Sequence, residues 1–267
     1  MCLLAFAVDM HPGYPLIVAA NRDEYHARPA SPAGWWRQPR ILAGRDLRAG
    51  GTWLGVTREG GFATITNFRD PESHRPDAPS RGDLVVRALT DAQHSLVAHL
   101  QARGRDYNGF NLLWYRAGQL WYYNNQTSAG VQRLPRGLYG LSNGVLDTPW
   151  PKLVRVRAGL KTLLQSRDEV QAARLLELMA DRRQPPEHSL PDTGIGAEWE
   201  RLLASPFIVS PRYGTRSTSA VLFRTNGMAT FSERAFDPEG KTMSEREFRF
   251  RLSPGIMAAD DSVADAH

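Results

Sequence analysis

One cysteine in 267 residues, Cys2, leaves no internal disulfide framework and no thiolate-held zinc or iron–sulfur centre built from a single chain. Long apolar runs are also missing. The longest, such as residues 2–8 and 16–20, are far too short to span a bilayer. Asp9 interrupts the first run and no basic segment precedes it, so no secretory signal is read and a cytoplasmic protein without a membrane span is expected. The excess of positive charge is small: 33 Lys and Arg against 28 Asp and Glu give +5. Basic residues are scattered in short pairs such as Arg182-Arg183, not gathered in a stripe, so no nucleic-acid partner is expected. Of the seven histidines, only His94 and His99 lie close in sequence, and a separation of five falls off one helical face. No metal and no cofactor are therefore assigned.

What is present suits one sizeable core: 42% hydrophobic and 23% charged residues. Residues 2–8 and 16–23 are apolar on both faces and flank the turn-forming His11-Pro12-Gly13-Tyr14-Pro15, as expected of central strands covered on both sides. A second strand pair is expected at 52–56 and 61–67. Leu84, Val85, Ala88, Leu89, Leu96, Val97 and Leu100 give 81–103 a helical stripe. Strands follow at 110–115 and 120–124, helices at 153–164 and 170–179, then strands at 207–210, 217–224, 228–233 and 248–252. Residues 71–79 and 184–197 read as polar, Pro-rich loops. The expectation is an α+β fold with mainly antiparallel sheets, forming one domain over 1–252, with 253–267 a flexible C-terminal tail.

The lone thiol directly follows the initiator methionine. Once that residue is removed, the α-amino group of Cys2 can serve as the base for its own sulfur. A hairpin turning near residues 12–13 makes partner numbers sum to roughly 25 or 26. Cys2 is then expected opposite Asp23 or Glu24, beside the cluster Asn21-Arg22-Asp23-Glu24. Three more polar residues stand at strand ends. Asn67 and Asn143 are neutral amides able to donate to an oxyanion, and Arg216 can screen a thiolate or bind a substrate carboxylate. Gly50-Gly51-Thr52-Trp53 lacks the Walker lysine and the dinucleotide spacing, and reads as a turn that packs Trp53 beside the pocket. The same residues also suit plainer roles: a small buried hydrophobe for Cys2, surface ion pairs at the strand end, turn residues for the asparagines.

Met1-Cys2, Asn21-Arg22-Asp23-Glu24, Leu42-Ala43-Gly44-Arg45-Asp46, Gly50-Gly51-Thr52-Trp53-Leu54-Gly55 and Thr66-Asn67 together resemble the NRDE family, which includes the eukaryotic transport and Golgi organisation protein 2 homologues. More distantly, the pattern is similar to N-terminal-nucleophile hydrolases of the choloylglycine hydrolase and penicillin V acylase type. That resemblance implies a four-layer αββα sandwich of two mainly antiparallel sheets. It implies hydrolysis of a linear amide or thioester with Cys2 as nucleophile, Asp23 as partner of its amine, Asn67 and Asn143 at the oxyanion, and Arg216 matching an arginine in a Thr-Arg context. Asn21, Arg22 and Trp53 are expected to line the substrate pocket. Those hydrolases carry an arginine three residues before the aspartate, where this chain has Ala20; alternation is read as turning Arg22 to the opposite face, so no substitution by it is expected. The relatives also imply a competing role, a carrier of haem or acyl-CoA/lipid in the same pocket. Oligomeric state is left open.

Overall fold

A computed structural model describes residues 2–166 and 168–253; almost all of the expected tail lies outside them. Thirteen strands and five α-helices are found among the described residues. They are β1 (Cys2–His11), β2 (Tyr14–Tyr25), β3 (Ala30–Trp35), β4 (Leu42–Asp46), β5 (Leu54–Val56), β6 (Phe62–Asn67), β7 (Phe110–Arg116), β8 (Gln119–Asn124), β9 (Gln132–Leu134), β10 (Gly137–Leu141), β11 (Tyr213–Phe223), β12 (Met228–Phe236) and β13 (Thr242–Arg251). The helices are α1 (Gly82–Thr90), α2 (Gln93–Arg103), α3 (Pro151–Gln165), α4 (Ala172–Leu178) and α5 (Ala197–Leu202).

The strands form two sheets, ordered β10-β1-β2-β11-β12-β13 and β3-β4-β5-β6-β7-β8-β9, and every pairing is antiparallel. Alternation along β1 and β2 explains the layering. Leu4, Phe6, Val8, Leu16 and Val18 meet Leu42, Leu54, Val56 and Phe62 of the other sheet in one buried cluster. Their neighbours Leu3, Ala5, Ala7, Ile17 and Ala19 pack on Leu153, Val156 and Leu160 of α3 and on Leu175 and Leu176 of α4. On the far side, Ala63, Ile65 and Leu112 receive Leu84, Val85 and Ala88 of α1 and Leu96 and Leu100 of α2. The result is a four-layer αββα sandwich whose inner strands are apolar on both faces.

Two sequence expectations are corrected. The stripe at 81–103 is interrupted at Asp91, which is extended (ψ 156°) and divides α1 from α2. Residues 207–210 form no strand; the Phe207 amide bonds to Asp181 O and the Ile208 amide to the Thr215 hydroxyl. No helix among the described residues is long and apolar enough to cross a membrane.

Candidate active site

β1 and β2 bring Cys2 opposite Arg22, not Asp23 or Glu24. The turn is centred where the sequence puts it, with His11 facing Tyr14, but the register shifts between Val8 and His11. Asp9 there adopts φ 54°, so β1 carries one extra residue, a bulge that offsets all pairs beyond it. Residues two apart in a strand share a face. Arg22 therefore shares its face with Ala20 and with Cys2, correcting the expectation that alternation turns it away. Asp23 takes the other face, towards the helices.

The sulfur side is a narrow cleft of about 10 Å³ between the sheets, lined in part by Cys2, Ala20, Asn21, Arg22, Trp53 and Thr64. Cys2 is half-buried, and burial pushes its thiol up, opposed by the N-terminal positive charge and by Arg22. Arg22 is 6% exposed and its guanidinium lies 4.3 Å above the Trp53 ring. Its one ion pair, to Glu24, is loose at 3.9 Å, and among the described residues it donates no hydrogen bond. Trp53 is seated on the backbone of Gly44, where a Cβ would come within 2.5 Å of Trp53 Cζ2. This close approach gives a physical reason for glycine in Leu42-Ala43-Gly44-Arg45-Asp46.

Behind the strand, Asp23 is 1% exposed and accepts from the Thr215 hydroxyl at 2.7 Å. Burial raises its pKa; Lys152, the N-terminal charge, Thr215 and Arg22 oppose the rise. Lys152, 3% exposed in the first turn of α3, is pulled down to about 8 by burial, with Asp23 the main charge holding it up. Nothing in the sequence marks Lys152, because a lysine beside Arg155 and Arg157 reads as part of a solvated helix face.

The other predicted residues divide. Asn21 is saturated: its Nδ2 donates to Met179 O (2.8 Å) and Pro206 O (2.9 Å), and its Oδ1 accepts from Thr218. That spends its side-chain hydrogen bonds on joining sheet to helices, while the residue itself lies in the wall of the Cys2 cleft. Asn143 is buried and donates to Asn67 O at 2.9 Å, tying the end of β10 to the end of β6. Ser142, absent from the predicted set, donates to Cys2 O and to Asn143 Oδ1, both at 3.3 Å, and so links the asparagine to the cysteine backbone. Asn67 is half-buried and continues the face of Ala63 and Ile65, the face opposite Thr64 and the cleft. Arg216 sits at a register shift between Asp23 and Arg22, and its Nη1 donates to the carbonyls of Tyr25, His26 and Arg28 at 3.0–3.2 Å. It braces the turn after β2; the cation beside the sulfur is Arg22.

A larger cleft of about 680 Å³ contains none of these residues. Its polar groups are largely spent on one another: Arg75 donates to the carbonyls of Arg105, Asp106 and Tyr107, and Asn125 to those of Gly104, Tyr107 and Asn108. Among the described residues no group of three His, Cys, Asp or Glu side chains could hold a metal ion.

Among solved structures, the chain is similar to a Caenorhabditis elegans N-acylethanolamine-hydrolyzing acid amidase orthologue (TM-score 0.46, 8% identity, covering 83% of this chain and 92% of that one). It is also similar to the C2A mutant of a conjugated bile acid hydrolase from Clostridium perfringens (TM-score 0.46, 9% identity, covering 97% and 100%). In sequence it is 35% identical over 277 residues to the Bos taurus Transport and Golgi organization protein 2 homolog, covering 94% of this chain and all of that one. The Homo sapiens homolog is 34% identical over 278 residues, with 94% and 99% covered. Since the family model for Transport and Golgi organisation 2 also matches residues 1–238, the chain belongs to the Transport and Golgi organisation 2 family.

Proposed function

We propose that residues 1–252 form one domain acting as a cysteine N-terminal-nucleophile hydrolase on a linear amide or thioester, after removal of Met1. The supporting observation is the division of labour at one strand end. The sulfur of Cys2 and the guanidinium of Arg22 share the inter-sheet cleft, while the next residue of β2, Asp23, offers its carboxylate on the opposite face. In this reading the freed amine of Cys2 is oriented by Asp23 and takes the thiol proton. The thiolate adds to the carbonyl; Asn143 stabilises the oxyanion with the amide hydrogen not spent on Asn67 O, and Asn67 contributes through the carbonyl that orients that amide. Arg22 supplies the positive charge that the resemblance would put at Ala20. Collapse breaks the C–N or C–S bond, the amine returns the proton to the leaving group, and water hydrolyses the S-acyl enzyme.

The cleft beside the sulfur is narrow, about 10 Å³. That is far below the ~300–1,000 Å³ common for enclosed ligands, so it gives no support to a carrier of haem or acyl-CoA/lipid. The test is intact mass followed by turnover. Protein lacking Met1 should hydrolyse members of a panel of N-acyl amides and acyl thioesters, and Cys2→Ala should lower the rate ~10³-fold or more. Retained Met1, or equal turnover by the variant, would refute the assignment.

A further inference from the structure

Charged groups meet behind the strand pair on the side away from the sulfur. Arg69, which follows β6, pairs with Glu200 of α5 at 2.7 Å, and both side chains are buried. Glu200 Oε1 also accepts from the Thr193 amide at 2.7 Å, so that carboxylate is fully engaged with Arg69 and Thr193. Lys152 lines the same narrow cleft, about 10 Å³, as Arg69, Trp150 and Glu200, yet its Nζ makes no hydrogen bond or ion pair among the described residues. It follows Pro151 at the start of α3, the positive end of that helix, where a cation is locally unfavourable. A nearly sealed ammonium in that position requires a compensating charge. Besides Glu200, Asp23 of β2 is a buried carboxylate on this helix-covered face of the sheet.

We infer that Lys152 is a positioning residue, the counter-charge that keeps Asp23 ionised so that Asp23 can hold the terminal amine of Cys2. The second half of this inference rests on the hydrolase reading; the first half does not. Desolvation drives Asp23 and Lys152 towards their neutral forms, and each is the largest opposing charge on the other. The charges acting on Lys152 are Asp23 of β2, Arg69, Cys2 of β1 and Glu200. Asp23 also feels the N-terminal charge, Arg22 from across the sheet and the Thr215 hydroxyl, and its charge raises the pKa of Tyr213 of β11.

The test reads Asp23 itself. In protein labelled with ¹³C at aspartate carboxyls, the Asp23 signal is identified by its loss in Asp23→Asn and followed through a pH titration. In Lys152→Met its midpoint should rise by about one unit or more, a tenfold gain in proton affinity, and Lys152→Arg should restore it in part. An unchanged midpoint in Lys152→Met overturns the inference whether or not the protein turns over any substrate. A shifted midpoint in a protein that hydrolyses no amide or thioester removes the hydrolase reading and leaves the charge pair standing. If Lys152→Met does not fold, the double variant Asp23→Asn with Lys152→Met, which removes both charges, should regain stability over it; no regain overturns the pairing.

Discussion

Glu233 offers the sharpest stability test. It lies on β12 between Ser219 of β11 and Arg246 of β13, is 3% exposed, and accepts the Ala33 amide at 2.6 Å through Oε1. Arg246 donates to the Ala33 carbonyl at 2.9 Å, so the two side chains together fasten the bulged part of β3 across the inter-sheet core. Oε2 has no hydrogen-bond partner among the described residues. Burial pushes the carboxyl from 4.5 up to about 7, against the Ala33 amide, Arg22 and Arg246. An acid whose folded pKa is raised binds its proton more tightly in the native state. Its contribution to stability is complete below about 4.5 and is lost as pH rises through about 7. The shift corresponds to about 3 kcal/mol at 1.36 kcal/mol per unit. Glu233→Gln keeps an acceptor for Ala33 and removes the titration. Urea unfolding of both proteins from pH 4.5 to 8 should show the variant gaining about 3 kcal/mol on the native chain across that window. Parallel curves would refute the reasoning.

Three other perturbations follow from packing. Gly44→Ala drives a methyl into the Trp53 ring and should cost about 1–3 kcal/mol; tryptophan fluorescence should report the displaced ring, and an unchanged spectrum and stability would contradict the contact. Asn21→Leu strands the carbonyls of Met179 and Pro206 and the Thr218 hydroxyl, with an expected loss of about 2–4 kcal/mol in denaturant unfolding. Arg216→Met frees the carbonyls of Tyr25, His26 and Arg28, so hydrogen exchange should quicken at residues 25–28; protection equal to that of the native chain would return Arg216 to the list of candidate ligand-binding groups.

The central strands were legible because β1 and β2 are apolar on both faces, a pattern that only a doubly covered strand tolerates. β3 and β9 left no comparable trace: Ala-Ser-Pro-Ala-Gly-Trp and Gln-Arg-Leu are short and carry little alternation. The neighbourhood of Cys2 was readable to within one residue. The error came from Asp9, a non-glycine residue in a left-handed conformation, which composition does not announce. Lys152 and Glu233 were hidden for another reason. A single charge in an amphipathic segment reads as surface, and only the covering layers reveal that the segment has no free side there.

The bulge at Asp9 acts as a phase adjuster. β1 and β2 each carry a fixed inside–outside alternation, and the tight corner at Pro12-Gly13 would join them one step out of phase. One surplus residue absorbs the mismatch, so both apolar combs engage the same layers. Seven residues away, at the strand's other end, that local detour decides which side chain of the Asn-Arg-Asp-Glu run stands across from the sulfur. Excising Met10 would therefore be felt at Cys2, not at the corner: either strand could keep its own layers only by giving up its present partner.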